Sequence, residues 1–227
     1  GSEMCIRDRF GIDGIIIDTS VQIFNFNSMV LQPDGKIVVA GSDTNSVIIV
    51  ARYNQDGSLD MSFDGDGKAQ VKFDTMDSAH GVTIAPDGKI LLSGLSGSID
   101  HRTFAIVRFN VDGSLDKTFD ENGQATVDFG GLNRGSAMSE ALIQPDGKIV
   151  AVGWVRYFNL TEKPVDFALA RYNTDGSLDA TFGDQGIATV DFDNHSDWAW
   201  AISRQSDGKV VIGGTSEDDF ALVRLLQ

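Results

Sequence analysis

Three histidines stand close in sequence to carboxylates: His80 to Asp77, His101 to Asp100 and His195 to Asp197. A histidine oriented by a carboxylate can take the proton of a hydroxyl, and Ser78 and Ser196 are adjacent, so hydrolase or lyase chemistry is one reading of the pattern. Neither a Gly-x-Ser-x-Gly elbow nor a His-x-x-x-His pair accompanies it, so the motif support for catalysis is thin and the candidates are His80 with Asp77 and His195 with Asp197. Asp77, Asp197 and Glu140 offer paired acids for a glycosidase if the fold holds two of them ~5 to 10 Å apart. Asp64-Gly65-Asp66-Gly67 opens like a calcium loop. Lys68 occupies the next ligand position and the closing glutamate is missing, so Asx turns account for these residues and no metal is expected. No nucleotide fingerprint is present, and no cofactor is expected.

The elements that must position these groups come in repeats. Gln32-Pro33-Asp34-Gly35-Lys36 recurs as Ala85-Pro86-Asp87-Gly88-Lys89, Gln144-Pro145-Asp146-Gly147-Lys148 and Gln205-Ser206-Asp207-Gly208-Lys209, at steps of 53, 59 and 61 residues. Between them falls a second signature, Asn54-Gln55-Asp56-Gly57-Ser58-Leu59-Asp60, repeated at Asn110 to Asp116 and Asn173 to Asp179. Proline fixes φ and Asp-Gly supplies positive φ, so both signatures read as turns between antiparallel strands. In the second unit the strands are expected over 79–85 (A), 89–94 (B), 104–109 (C) and 124–129 (D). Strands B and C read as continuous apolar runs, as in sheets covered on both faces. Four short strands per unit give an all-β, four-bladed β-propeller. Residues 10–18 match 182–190 and read as a D strand, whereas the last unit ends on a C strand at Phe220 to Arg224. Pairing 12–18 with 219–226 would close the ring; two chains could instead form an eight-bladed ring. Residues 1–9, with Cys5 among them, read as a cloning scar followed by metagenomic adaptor sequence, leaving 10–227 as one domain of four repeats.

These two signatures resemble the delta-60 repeat, a bacterial domain-of-unknown-function β-propeller repeat. The resemblance implies a propeller exported from, or displayed on, a bacterial cell; it implies no activity.

Acidic residues number 33 against 18 basic, a net charge of −15, so phosphate backbones and anionic lipid surfaces are poor partners. The A–B and C–D turns hardly vary among units, whereas the D–A and B–C connections on the opposite face differ, and 154–166 is long. Function on a rigid scaffold concentrates in such loops. One repeat position near the axis holds Asn27, His80, Ser139 and Trp200, and two residues earlier stand Asn25, Ser78, Ala137 and Trp198. The binding residues expected are therefore Asn27, His80, Ser139, Trp154, Tyr157, Trp198 and Trp200. The ligand is expected to be a glycan or small molecule, held by a monomer or homodimer that is an adhesion or binding module, an enzyme of the kind above, or a structural spacer. Arg52, Arg108, Arg171 and Arg224 recur inside apolar C strands and should pair with the turn aspartates.

Overall fold

The structure, a computed structural model, describes residues 10–20, 23, 25–73, 78–98, 101–130, 134–158 and 165–225. The leader with Cys5, and Asp77 with Asp100, lie outside them. Fifteen strands form four antiparallel sheets in chain order. The first holds β1 (Asn25–Leu31), β2 (Ile37–Ser42), β3 (Ile48–Tyr53) and β4 (Lys68–Val71). The second holds β5 (Ser78–Ile84), β6 (Ile90–Ser98), β7 (His101–Phe109) and β8 (Gln124–Val127). The third holds β9 (Arg134–Ile143), β10 (Ile149–Tyr157), β11 (Val165–Tyr172) and β12 (Ile187–Val190). The fourth holds β13 (Asp197–Arg204), β14 (Val210–Ser216) and β15 (Asp219–Leu225). Strands follow one another across each sheet, the A-B-C-D order of propeller blades.

The Pro-Asp-Gly-Lys hairpins form as their residues require: Gly35, Gly88, Gly147 and Gly208 take φ of 82° to 89°, and each aspartate accepts the N–H of the lysine two residues on. The apolar core lies between blades. One cluster joins Val38, Val50 and Phe63 to Leu92 and Phe109, a second joins Phe104 and Phe119 to Met138 and Tyr172, and a third joins Val152 and Leu169 to Ile202 and Ile212. Burial on both faces is why strands B and C carry no polar alternation.

Charged nodes sit at the C–D turns. Arg52, Arg108 and Arg171 each donate through Nε to Asp60, Asp116 and Asp179 at 2.7 Å, and Lys36, Lys89 and Lys148 reach the same carboxylates at 2.8 to 2.9 Å. Each guanidinium also covers a phenylalanine ring, Phe63, Phe119 or Phe182, at 4.4 to 4.8 Å. Arg52 and Arg108 then bond to the backbone oxygens of Val111 and Thr174 in the following blade. Arg224 departs from the expectation: it is exposed and, among the described residues, makes no close ion pair with a carboxylate, its charge acting only at longer range on Asp207 of the A–B turn.

The expected ring closure is not formed. The fourth sheet has three strands, and residues 12–18 do not pair with β15. They lie instead against the first blade, with Gly11 N–H on Asp56 O at 2.8 Å. That bond repeats Asp64 N–H to Asp112 O and Asp120 N–H to Asp175 O, the links by which each D turn seats on the next blade. The turn itself is the D turn expected: Ile12 bridges Ile15 as Asp184 bridges Ile187. The local conformation follows the sequence match, and the strand pairing does not. β15 is thereby left an open edge, with Phe220 97% and Leu222 71% exposed.

Candidate functional site

Each innermost strand carries a β-bulge near its start, between Phe26 and Ser28, Ala79 and Gly81, Met138 and Glu140, and Ala199 and Ala201. The bulged residues are Asn27, His80, Ser139 and Trp200, the four of the expected axial position. A bulge releases one side chain from the alternation of the strand and re-aims it. Here the side chain reaches the next blade: Asn27 Nδ2 donates to Ala79 O at 2.6 Å, His80 Nδ1 to Met138 O at 2.8 Å, and Ser139 Oγ to Ala199 O at 2.8 Å. In every case the acceptor is the residue just before the next bulge. Opposite each bulge stands a glycine of strand B, because a Cβ at Gly41, Gly94, Gly153 or Gly214 would meet a backbone oxygen of the bulged strand at 1.9 to 2.2 Å.

His80 is therefore tied to a backbone oxygen. Burial pushes its pKa below the ordinary histidine value, the Met138 carbonyl works against that shift, and the charge of Arg102 adds to it. The tautomer with hydrogen on Nδ1 fits the bond. His195 faces Glu217, with Nε2 3.6 Å from Oε1, rather than the Asp197 expected to orient it. Asp197 is fully buried and accepts the Phe192 N–H through Oδ2. His101 Nε2 lies 3.7 Å from Asp128. Glu140, the third acid of the glycosidase reading, accepts the Ile202 N–H of the next blade, as Ser28 accepts that of Val82. Asp66 accepts the N–H of Lys68 in an Asx turn, as expected.

The aromatic residues do come together. Trp154 and Trp198 meet edge to face with ring centres 5.0 Å apart, and Trp198 and Trp200 lie parallel at 5.9 Å. Arg156, which the sequence reading passed over, sits 5.5 Å from the Trp198 ring and 5.9 Å from that of Trp154. It is two residues from Trp154 on β10 and so shares its face. Trp200 is 54% exposed and Trp198 and Trp154 partly so. Tyr157 stands apart, packed on the core between the second and third blades.

The described clefts lie elsewhere. One of about 460 Å³ is lined by Ile16, Ile23, Phe26, Met29 and Val39 on the outer side of the first blade, and two more lie between A–B turns of successive blades. Beside the tryptophans the fold assembles a group that no spacing announced: one oxygen from each of Asp166, Asp191 and Asp197 falls within 4.8 Å of the others.

The repeat that builds these blades matches the sequence profile described as domain of unknown function (DUF5122) beta-propeller over 32–63, 85–119, 144–182 and 205–227. The chain belongs to the DUF5122 β-propeller family. No curated protein sequence matches it. Among solved structures it is similar to a protein of unknown function from Bacteroides caccae, at 10% identity and a TM-score of 0.48, covering 86% of this chain and 58% of that one. It is similar to an endo-arabinase from Bacteroides thetaiotaomicron, at 10% identity and a TM-score of 0.49, covering 94% and 80%. A third is an aldose sugar dehydrogenase from Streptomyces coelicolor in its PQQ-bound form, at 13% identity and 0.47, covering 87% and 58%. The chain thus spans 58% of the length of the first of these proteins, and likenesses at this level carry no argument about chemistry.

Proposed function

We propose that this DUF5122 propeller is a non-catalytic binding module that takes a saccharide on the surface formed by Trp198 and Trp200, with Arg156 at its side. The observation that supports this most is the parallel pair of indoles, 5.9 Å between centres, with Trp200 more than half exposed at a bulge. An exposed, rigid indole offers the apolar face of a sugar ring a large flat contact, and its N–H and a neighbouring guanidinium offer polar ones. Against catalysis, His80 is engaged with a backbone oxygen, and His195 does not meet the aspartate that would orient it. The resemblance to delta-60 repeats supports, for such a module, a position outside the bacterial cell or on its surface.

A glycan screen followed by calorimetry on the wild type and Trp200→Ala tests the proposal. Trp200 is exposed, so its truncation leaves the fold intact. Binding that disappears in the variant is the expected result; no binding by the wild type, or equal binding by both, defeats it.

The open edge supports a second reading, in which the blades are one part of an assembly. Phe220 and Leu222 are exposed on β15, and a strand such as 12–18, from this chain or from a second copy in an eight-bladed ring, would cover them. A dimeric mass in solution that falls to monomer in Phe220→Asp and Leu222→Asp variants supports the two-chain ring; a monomeric wild type removes it.

A further inference from the structure

We infer that Asp166, Asp191 and Asp197 form a calcium site at the join between the third and fourth blades. Asp166 is the second residue of the C strand of the third blade, Asp191 follows its D strand, and Asp197 opens the A strand of the fourth. Phe167 pairs with Val190, so Asp166 and Asp191 follow at opposing positions on the two strands, where like charges repel. Asp197 joins them from the neighbouring sheet. It is 0% exposed, its Oδ2 accepts the Phe192 N–H at 2.8 Å, and its Oδ1 has no hydrogen-bond partner. Among the described residues no lysine or arginine comes within ion-pair distance of Asp197. A carboxylate withdrawn from water, with one oxygen unmatched and two further carboxylates facing it, is unfavourable unless a cation completes the site.

The oxygens identify the cation. An all-carboxylate set selects a hard divalent ion over zinc or copper. Calcium bonds oxygen at about 2.3 to 2.6 Å, so one ion can bridge oxygens up to about 4.6 to 5.2 Å apart, and the three here lie within 4.8 Å of one another. Magnesium usually keeps several waters and is held through one or two carboxylates, so a set of three favours calcium. Water and backbone carbonyls would complete the shell.

The repeats supply an internal control. Register places Thr103, Asp128 and Ser136 at the corresponding positions of the second and third blades, and Val47 and Lys72 at the first two of these positions in the first blade. Those joins form without three carboxylates, so the propeller scaffold does not require the cluster. It is particular to the join that also presents Trp198, the residue after Asp197, and a bound ion would fix the 191–197 loop and the start of the tryptophan strand.

The inference stands independently of saccharide binding and is tested with the metal alone. After chelator treatment, the full chain is melted over a calcium series, and terbium is added under tryptophan excitation, with Trp198 and Trp154 as donors beside the site. Expected are a Tm that climbs with calcium, since an ion that binds only the folded state stabilises it by mass action, and sensitised terbium emission that calcium displaces. Both responses should be lost in Asp197→Asn and in the less buried Asp191→Asn, and kept in Asp128→Asn at the corresponding position of the second blade. A wild type whose Tm ignores calcium and which gives no terbium emission overturns the assignment. So does an Asp191→Asn protein that responds as the wild type does, and this holds even if Asp197→Asn does not fold.

Discussion

Replacing Asp116 by alanine removes the anion from one charged node and leaves its two cations in place. In the native protein Asp116 is 2% exposed and accepts from Arg108 Nε at 2.7 Å, Lys89 Nζ at 2.9 Å, and the N–H and hydroxyl of Thr118. Removing one partner of a buried ion pair costs about 3–5 kcal/mol because the stranded charge keeps its desolvation penalty. Two features place this node at the lower end. The Lys89 side chain is 27% exposed, and it can swing toward Asp87, whose Oδ2 already lies 3.8 Å away. A loss of about 3 kcal/mol is therefore expected, a fall of about 6–12 °C in Tm for a chain of this size. Thermal and urea unfolding at neutral pH measure it. The cause is separated from mere loss of packing by the double variant Asp116→Ala with Lys89→Met, which removes one stranded cation and should recover about 1 kcal/mol. A single variant that loses less than about 1 kcal/mol, or a double variant whose losses simply add, refutes the reasoning.

The adjacent glycines of β14 provide a sharper geometric contrast. A Cβ at Gly214 falls 2.0 Å from the Trp198 carbonyl, whereas one at Gly213 first meets a Leu222 methyl at 3.4 Å, so Gly214→Ala should cost more than about 3 kcal/mol and Gly213→Ala less than about 1 kcal/mol in urea unfolding. At the bulge of β5, His80→Ala strands the Met138 carbonyl and should cost about 1–3 kcal/mol, while His80→Asn, the residue the first blade uses there, should retain most of it. Acid should weaken the fold through the charged nodes. Burial pushes Asp60 and Asp116 upward, but hydrogen bonds from Ser62 or Thr118 and the nearby lysine and arginine outweigh it; Lys148 and Thr181 lead the same downward shift at Asp179. A carboxylate held below its unfolded value of about 3.9 stabilises above that pH and loses the contribution as pH falls below it, so the urea midpoint should drop steeply under about pH 4, and less steeply in Asp116→Ala.

What could be read from the sequence was local and repeated. Pro-Asp-Gly-Lys and Asn-x-Asp-Gly-Ser-Leu-Asp encode their turns in a few consecutive residues, so both turns appear where expected, and with them the A-B-C-D order of each sheet. The arginine pairing followed because an isolated cation in an apolar strand needs an anion, and the same turn supplies one eight residues on. The bulges were hidden, since Asn27, His80 and Ser139 share only the capacity to donate, and that kinship shows only when each is seen reaching the next blade. His195 and Asp197 misled for the opposite reason. Two residues of separation suggested contact, but Asp193 and Asn194 take φ of 58° and 62°, the chain turns there, and His195 faces Glu217. Asp166, Asp191 and Asp197 are brought together by strand pairing and blade stacking, which no linear spacing records. Asp166 stands where the second unit has Thr103, a difference between units that carries no sign of its two partners.

At Trp200 the fourth unit departs from the rest of the bulge row. Three of the four bulge residues are short donors or an imidazole, each matched to a carbonyl of the blade that follows. Trp200 breaks the series with a large indole, in a blade whose following neighbour is absent from the described residues. If its purpose were only to continue the row of inter-blade bonds, a small donor would suffice, as Ser139 shows. The bulk of the indole, its parallel alignment with Trp198 and the guanidinium alongside add contact area that a staple does not need. In the proposed function a ligand uses that area, and in the second reading a further blade does. The two differ in geometry: a sugar takes the indole face, while a further blade takes the N–H as well and buries the exposed β15 edge with it. Trp200→Phe, which keeps a flat face and loses the donor, should therefore retain saccharide binding but weaken any assembly built on the bulge row.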